Sequence, residues 1–162
     1  MHAEAFSFVR AMTKDRKPKT ILELGSRDIN GSPRILFPHA VYTGIDLEAG
    51  EGVDIVADAA SWEPDGLYDL VFCLEVMEHT PDWPQIIDTA HSALNDGGLF
   101  VITAATDPRK PHSAVDGGEL FEGEYYENVD PEALGKAIKV SGFKQGTVWV
   151  RDWGDVYAIA IR

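Results

Sequence analysis

Apolar and polar residues follow one another along the chain in a pattern that predicts alternating strands and helices. The continuous apolar runs "TILELG" and "YDLVFCLEV" are typical of strands that are covered on both faces, as in parallel sheets. The runs "AVYTGID", "GVDIVAD" and "LFVITAA" predict three further strands, and "GFKQGTVWV" with "DVYAIAIR" predicts a closing β-hairpin.

Three other segments have the apolar spacing of amphipathic helices. The first covers residues 4–16. The second begins at the capping pair Asp82 and Gln85 and ends at a turn over Asn95 to Gly98. The third begins at Asp130 and Pro131 and ends at about Val140. In "NGSPRILF", Ser32 can cap and Pro33 suits the first helical position, so a helix is also predicted to start after the first strand.

The order of these elements predicts an α/β fold in one domain over residues 1–162. Alternating strands and helices favour an open, doubly wound, mostly parallel sheet, here of seven strands with a C-terminal antiparallel hairpin. Ligands of such sheets bind beyond the carboxyl ends of the strands. The chemistry is therefore sought where the apolar runs end.

Charge and cysteine content narrow the class of partner. Fourteen basic and 27 acidic side chains give a formal charge of -13, which disfavours nucleic acid and anionic membranes as partners. Cys73 is the single cysteine and lies in an apolar run, so a buried thiol is predicted and no oxidising compartment is required. Without a signal-peptide core or a long apolar run, a cytoplasmic protein is expected.

The second predicted strand ends on Asp46, and the number of residues between Gly25 and Asp46 is typical of nucleotide-binding proteins. Asp46 follows Gly25 by 21 residues, where nucleotide-binding βαβ units place an acidic residue on the ribose hydroxyls. The bend "GSRDINGS" lacks the closely spaced glycines that pyrophosphate needs, and Asp28 would repel phosphate, although Arg27 could offset part of that charge. A nucleoside ligand without phosphate is therefore favoured.

Five motifs in order then resemble those of the class I S-adenosylmethionine-dependent methyltransferases, particularly small members with a Glu-x-x-Glu-His sequence. They are "ILELGS", "YTGIDLE", "VADAASW", "YDLVFCLEVMEH" and "LNDGGLFVITA", and the resemblance covers about residues 21–161. The sequence departs from the family at the glycine-poor bend. The resemblance implies a Rossmann-like fold, S-adenosylmethionine as cofactor and methyl transfer as the activity.

The resemblance also implies which residues surround the cofactor. The methionyl part would border Glu23, Gly25, Ser26, Leu74 and Glu75, the ribose would bind Asp46, and the adenine would contact Leu47, Asp58 and Ala59. A cationic sulfonium and ammonium suit a carboxylate-rich cleft. For Asp58, the alternative of a solvated turn residue is nearly as good, and Trp62 either covers the adenine or packs in the core.

Methyl transfer from a sulfonium is an in-line displacement on an already activated donor. The protein therefore mainly has to align the nucleophile, the methyl group and the leaving sulfur. His79 and His112 are candidate general bases, because the unperturbed pKa of histidine lies near neutral pH. If a helix begins directly after the fourth strand, Glu75, Glu78 and His79 share a face and could bind a divalent metal with His112, as in some resembling enzymes. We favour local capping or hydrogen bonding of these residues over metal, and predict no metal site.

The polar segment from Thr106 to Val129 has no regular period and follows the fifth strand. Its Arg109, Lys110, His112, Gly117 and Gly118, with Tyr125 and Tyr126, are candidates for acceptor recognition and closure over the site. A surface loop whose aromatics pack on the sheet is an equal alternative. The remaining aromatic residues without a motif are predicted to be structural: His2, His39, His91, Trp83, Trp149 and Trp153.

A small-molecule acceptor is predicted, because little chain remains for a separate substrate domain. A non-catalytic S-adenosylmethionine-binding or partner-binding protein of the same fold is the second possibility. A nicotinamide-dependent oxidoreductase is the third, and the "SRDIN" bend argues against it. The sequence does not identify the acceptor, its methylated atom or the oligomeric state.

Overall fold

The apolar runs form the strands of one seven-stranded sheet in the computed structural model, which describes residues 3–162. The strands are β1 (Thr20–Leu24), β2 (Val41–Asp46), β3 (Ile55–Val56), β4 (Tyr68–Leu74), β5 (Leu94–Ala105), β6 (Gln145–Arg151) and β7 (Asp155–Ile161). Their order is β3-β2-β1-β4-β5-β7-β6, with β1 to β5 parallel and β7 antiparallel to both β5 and β6. The predicted Rossmann-like sheet with its C-terminal hairpin is confirmed.

Within residues 3–162, three α-helices accompany the sheet: α1 (Ala3–Thr13), α2 (Trp83–Ala93) and α3 (Pro131–Val140). The start of α3 is as predicted, since the Asp130 carboxylate accepts a hydrogen bond of 2.7 Å from the Ala133 amide. Helix α1 ends at Thr13, three residues earlier than expected, where the Thr13 hydroxyl donates back to the Val9 carbonyl. His2 lies outside the described residues.

Helix α2 begins directly after Asp82, as predicted, but the capping hydrogen bond and the turn predicted at its C-terminal end were wrong. The Asp82 side chain makes no capping hydrogen bond, and the helix ends at Ala93. Residues 94–98 extend β5 rather than forming the expected turn, with Leu94 opposite Tyr68. The Asn95 amide donates to Asp69 Oδ1 at 2.9 Å, so a tertiary contact holds this segment in the sheet.

The helix predicted after β1 is a single 3-10 turn over Pro33–Leu36. Its start is as expected, because the Ser32 hydroxyl accepts a 3.2 Å hydrogen bond from the Arg34 amide. Phe37 and Pro38 follow this turn. A proline disfavours the helical conformation of the residue before it, so Phe37 does not continue the helix. The crossover from β1 to β2, over the described residues 25–40, therefore contains this single 3-10 turn in place of an α-helix.

Apolar side chains pack on both faces of the sheet. On one face, α2 and α3 cover a large cluster that includes the buried Cys73, as predicted. On the other face, α1 and the 33–36 turn cover a smaller cluster around Phe8 and Phe72. In the described part of the chain, no helix is both long and apolar enough to cross a membrane. With both faces covered, the carboxyl edge of the sheet is the place for a ligand.

Candidate active site

A cavity of about 1080 Å³ lies beyond the carboxyl ends of the parallel strands; we refer to it as the strand-end cavity. Nine of the predicted site residues line it: Gly25, Asp46, Leu47, Asp58, Ala59, Leu74, Glu75, His79 and His112. The volume is at the upper end of the roughly 300–1,000 Å³ typical of small-molecule sites. It has room for a nucleoside cofactor and a second small molecule.

The bend after β1 brings its backbone close to the segment after β4. Gly25 has φ of +80°, and its amide donates to the Ile45 carbonyl at 2.8 Å. A Cβ atom at this position would lie 2.2 Å from Cγ2 of Val76. Glu75, next to Val76, also has a positive φ, of 59°. Only glycine fits at the first bend, and this close approach shapes the cavity wall.

Asp46 joins two of the turns that form the cavity wall. Its Oδ2 accepts a hydrogen bond of 3.0 Å from the Arg27 amide, and its Oδ1 accepts one of 3.2 Å from the Glu48 amide. Each carboxylate oxygen has a second lone pair. Asp46 is therefore held in a fixed orientation and can still accept hydrogen bonds from a ligand.

The bend itself is poorly suited to phosphate. The guanidinium of Arg27 forms an ion pair with Glu48, so its positive charge is already neutralised by a carboxylate of the protein. Asp28 Oδ1 accepts a 2.6 Å hydrogen bond from the Gly31 amide and keeps a negative charge in the bend. Ile29 occupies part of the cavity wall. These positions agree with the prediction that a dinucleotide pyrophosphate is disfavoured here.

Glu23 and Ser26 are not among the residues that line the strand-end cavity, and their place beside the cofactor stays a prediction. Glu23 is 5% exposed and accepts a 2.7 Å hydrogen bond from the Tyr42 hydroxyl. Ser26 is 1% exposed and packs beneath the bend against Gly44. Both side chains are therefore enclosed by protein atoms beside β2.

Burial raises the pKa of Glu23 to about 7, although the Tyr42 hydroxyl and the Arg34 charge act to lower it. In the unfolded chain this carboxyl loses its proton near the ordinary glutamate pKa of 4.5. Between pH 4.5 and 7 the unfolded state therefore binds fewer protons than the folded state, and the free energy of unfolding falls as pH rises. The loss is complete above pH 7.

We accordingly expect Glu23→Gln to gain stability relative to wild type as pH rises from 4.5 to 7, by up to about 3 kcal/mol. The amide oxygen of glutamine can still accept the Tyr42 hydrogen bond. Urea denaturation of both proteins at several pH values measures the difference, with the exposed Glu132→Gln as a control. Parallel stability curves for wild type and Glu23→Gln would contradict the assignment.

The segment after β4 forms a 3-10 turn over Met77–His79, not the helix that was expected directly after the strand. Glu78 is fully buried, and its Oε1 accepts a 3.1 Å hydrogen bond from the Ala105 amide at the end of β5. It does not cap α2. Burial and the charge of Glu75 raise the pKa of Glu78 to about 8.

The turn and the 106–129 loop bring three potential ligand groups together. One ligand atom each from Glu78, His79 and His112 lies within 4.8 Å of the others. The ring centroids of the two histidines are 5.1 Å apart, and Tyr126 packs against both rings. Burial and the neighbouring His112 lower the pKa of His79 to about 4, so its imidazole is neutral at neutral pH.

The 106–129 loop is fastened near both ends. The Glu127 amide donates to the Glu78 carbonyl at 2.9 Å, and Arg109 Nη1 lies 2.5 Å from Oδ1 of the buried Asp155. The predicted loop residues that line the cavity are Arg109, Lys110, His112, Gly117 and Gly118. The Tyr125 and Tyr126 hydroxyls bond within the loop, to Glu127 and Asn128.

Several residues that line the cavity were not predicted from the sequence, and Trp153 is one of them. Trp153 was treated as structural, but it is 53% exposed and lines the cavity from the β6–β7 turn, where its Nε1 donates to Asp155 at 2.7 Å. No motif marks this position, because the hairpin reaches the site only through its pairing with β5. Trp62 packs against the core cluster.

Comparison with known proteins gives a consistent result. Residues 1–145 match the methyltransferase-domain family. The ubiquinone biosynthesis O-methyltransferase of Azotobacter vinelandii is 30% identical over 122 residues, which cover 68% of this chain and 53% of that one. The Pseudomonas aeruginosa protein of the same name, strain PAO1, is 37% identical over 88 residues, covering 52% and 38%. The chain spans about half or less of the length of these relatives.

Solved structures share the fold at low sequence identity. A DhpI complex with SAH superposes with a TM-score of 0.72 at 21% identity, covering 98% of this chain and 82% of that one. A putative S-adenosylmethionine-dependent methyltransferase from Listeria monocytogenes gives 0.68 at 18% identity, covering 99% and 98%. At these identities the likeness concerns the fold alone.

Proposed function

The chain belongs to the class I S-adenosylmethionine-dependent methyltransferase family, and we propose that it transfers a methyl group from this cofactor to a small-molecule acceptor in the strand-end cavity. The observation that carries the proposal is the position of Asp46. Its carboxylate lies on the cavity wall at the end of β2, and each of its two oxygens accepts a hydrogen bond from one backbone amide. A fixed carboxylate can accept both hydroxyl hydrogen bonds of a ribose.

The remaining cavity residues divide between the two ends of the cofactor. Leu47, Asp58 and Ala59 would contact the adenine, while Leu74 and Glu75 would lie beside the methionyl group. Glu75 supplies negative charge near the expected position of the sulfonium and ammonium. Glu23 and Ser26 would act indirectly, through the shape of the bend above them.

The acceptor would enter on the side of the 106–129 loop. His79, His112, Lys110 and Trp153 line this part of the cavity. The names of the two relatives above favour an oxygen as the methylated atom. The volume beside the proposed cofactor position and the charge of -13 favour a small molecule over a polyanion.

The proposed reaction is a single in-line displacement. The acceptor oxygen forms the new bond to the methyl carbon, the carbon–sulfur bond breaks, and sulfur keeps the electron pair to give S-adenosylhomocysteine. The hydroxyl proton passes to His79 or His112; the imidazole of His79 is neutral at neutral pH, but its lowered pKa makes it a weak base. The protein contributes mainly alignment of the three reacting atoms.

Isothermal titration with S-adenosylmethionine, S-adenosylhomocysteine and NAD tests this proposal. We expect micromolar binding of the first two and none of NAD. Binding of NAD alone would favour an oxidoreductase. Binding of S-adenosylmethionine without methyl transfer to any of a panel of hydroxylated acceptors would favour a non-catalytic binding protein.

Asp46→Ala should weaken S-adenosylmethionine binding by about 1 to 3 kcal/mol, which is roughly 5- to 150-fold, because the charge-assisted ribose hydrogen bonds are lost. The same titration measures the effect. Asp96→Asn is the control, since Asp96 lies at the opposite end of β5 and is exposed. Equal affinity of Asp46→Ala and wild type would remove the proposed ribose contact.

A further inference from the structure

A second groove, of about 530 Å³, lies between helix α1 and the β6–β7 hairpin; we refer to it as the α1 groove. Its volume is within the range of roughly 300–1,000 Å³ that is typical of small-molecule sites. We infer that the α1 groove binds a monocarboxylate with an unbranched alkyl chain, of the class of medium-chain fatty acids. This site would be distinct from the cofactor and acceptor positions, and it does not depend on the proposed methyl transfer.

Helix α1 gives the groove an elongated shape. Its exposed residues Ala3, Ser7 and Ala11 form one row along the groove, and Phe8 and Met12 lie in the row beside it. Residues four positions apart lie on the same face of a helix, so the rows run parallel to the helix axis. At a rise of about 1.5 Å per residue, the stretch from Ala3 to Met12 is about 13 Å long. A groove of this length beside small side chains fits a narrow, extended ligand.

Aromatic side chains form the floor of the α1 groove. The Phe8 ring stacks on that of Tyr157, with 4.7 Å between the centroids, and contacts Trp149 edge-on at 5.7 Å. Phe8 and Tyr157 are buried, so packing holds their rings in place. An alkyl chain lying on this floor would remove apolar surface of both partners from water, which is favourable.

Arg151 places an unpaired positive charge in the α1 groove. Its guanidinium carbon lies 5.3 Å from the centre of the Tyr157 ring. Within residues 3–162, no carboxylate forms an ion pair with Arg151, and its buried Nε makes no hydrogen bond. This is unexpected in a chain with 27 acidic and 14 basic side chains. Buried donors without a partner are rare, so the position calls for an acceptor from outside the described chain.

The acidic residues around Arg151 do not supply this acceptor. Asp155 lies opposite Arg151 in the β6–β7 ladder, but its carboxylate already accepts hydrogen bonds from other residues, among them Trp153 and Tyr157. Glu4, on the α1 side of the groove, is exposed and forms no ion pair with Arg151. A ligand carboxylate would supply both the charge and the hydrogen-bond acceptor, because a guanidinium binds a carboxylate through two parallel N–H donors.

The rest of the groove distinguishes this ligand from other anions. The Glu4 carboxylate and the net charge of -13 disfavour a ligand with several negative charges. The aromatic floor and Met12 favour an alkyl chain over a sugar or a peptide backbone, whose polar groups would lose their hydrogen bonds with water. Octanoate has one carboxylate and an alkyl chain that the length of the groove can accommodate.

Titration with octanoate, followed by calorimetry and by tryptophan fluorescence, tests the site, because Trp149 and Trp153 both line the groove. We expect one octanoate per chain. 1-Octanol has a chain of the same length without the charge, and acetate has the carboxylate without the chain. Each should bind about 10-fold or more weakly than octanoate, since octanol lacks the charge-assisted hydrogen bonds and acetate lacks the apolar contact.

Two variants locate the bound octanoate. Arg151→Gln should weaken octanoate binding by about 10-fold or more and leave 1-octanol binding unchanged. Arg10→Gln is the matched control, since Arg10 is exposed on α1 and is not among the residues that line the groove. Ala11→Trp should fill the groove and abolish binding of both octanoate and 1-octanol, and thermal denaturation checks that this variant is folded.

Three results would overturn the site: no saturable octanoate binding, equal affinity for octanoate and 1-octanol, or an unchanged octanoate affinity in Arg151→Gln. Saturating S-adenosylhomocysteine should leave the octanoate affinity unchanged. Loss of octanoate binding in its presence would place the ligand in the strand-end cavity and would also overturn the site. Cofactor binding without octanoate binding would remove the α1 groove as a ligand site and leave the proposed function intact.

Discussion

Gly25→Ala should lower the free energy of unfolding by about 2 to 5 kcal/mol. Two costs add at this position. A residue with a Cβ atom pays about 1 to 2 kcal/mol in the left-handed region, where Gly25 has φ of +80°. The new Cβ would also lie 2.2 Å from Val76 Cγ2 and 3.2 Å from its Cβ, so rotating the valine gives no relief and overpacking adds about 1 to 3 kcal/mol.

Thermal denaturation measures the effect, since each kcal/mol shifts Tm by about 2 to 4 °C in a chain of this size. Gly31→Ala is the matched control. Gly31 has φ of +100°, but a Cβ there has no atom of the described chain within 4 Å, so this variant pays only the conformational cost. Equal destabilisation by the two substitutions would show that the close approach to Val76 is absent.

Arg109→Met should destabilise the protein by about 2 to 4 kcal/mol. Its partner Asp155 is 0% exposed, and removing one member of a buried ion pair leaves the other charge uncompensated, typically at a cost of about 3 to 5 kcal/mol. The Arg109 side chain is 30% exposed, so we expect a cost about 1 kcal/mol smaller than that of a fully buried pair. The hydrogen bonds from Trp153 and Tyr157 to Asp155 remain.

Lys144→Met provides the comparison, because it breaks an ion pair whose two side chains are 62% and 86% exposed. Exposed pairs contribute about 0 to 1 kcal/mol. Urea denaturation of both variants gives the difference, and hydrogen exchange reports on the loop. A loss for Arg109→Met no larger than that for Lys144→Met would show that the Arg109–Asp155 pair does not anchor the 106–129 loop.

The strand ends could be predicted from the sequence because local pattern determines them. A run such as "YDLVFCLEV" has too many consecutive apolar residues for an exposed face, and it became the central strand β4. The spacing of Gly25 and Asp46 likewise placed both residues on one cavity wall.

The differences arise where tertiary contacts outweigh local preference. Asn95 and the residues around it have turn character, but pairing of Leu94 with Tyr68 extends β5 through them. The hydrogen bond that Glu23 accepts from the Tyr42 hydroxyl, 19 residues further along the chain, likewise has no local sequence signal. Trp153 lines the cavity from the β6–β7 turn. This turn is far from β4 in sequence, so no local pattern predicts that the two segments border the same cavity.

The cluster of Glu78, His79 and His112 illustrates the same limit. The sequence placed Glu78 and His79 next to each other but suggested a helix after β4, whereas the chain forms a 3-10 turn. The position of His112 depends on the whole course of the 106–129 loop, which no periodic pattern describes. Only the folded chain brings the loop histidine to the turn.

The most direct test of the account is a crystal structure of the protein with S-adenosylhomocysteine. The account predicts the nucleoside in the strand-end cavity, with both ribose hydroxyls within hydrogen-bonding distance of the Asp46 carboxylate and the amino-acid end beside Glu75. A nucleoside bound elsewhere on the protein, or in the cavity with its ribose away from Asp46, would contradict it.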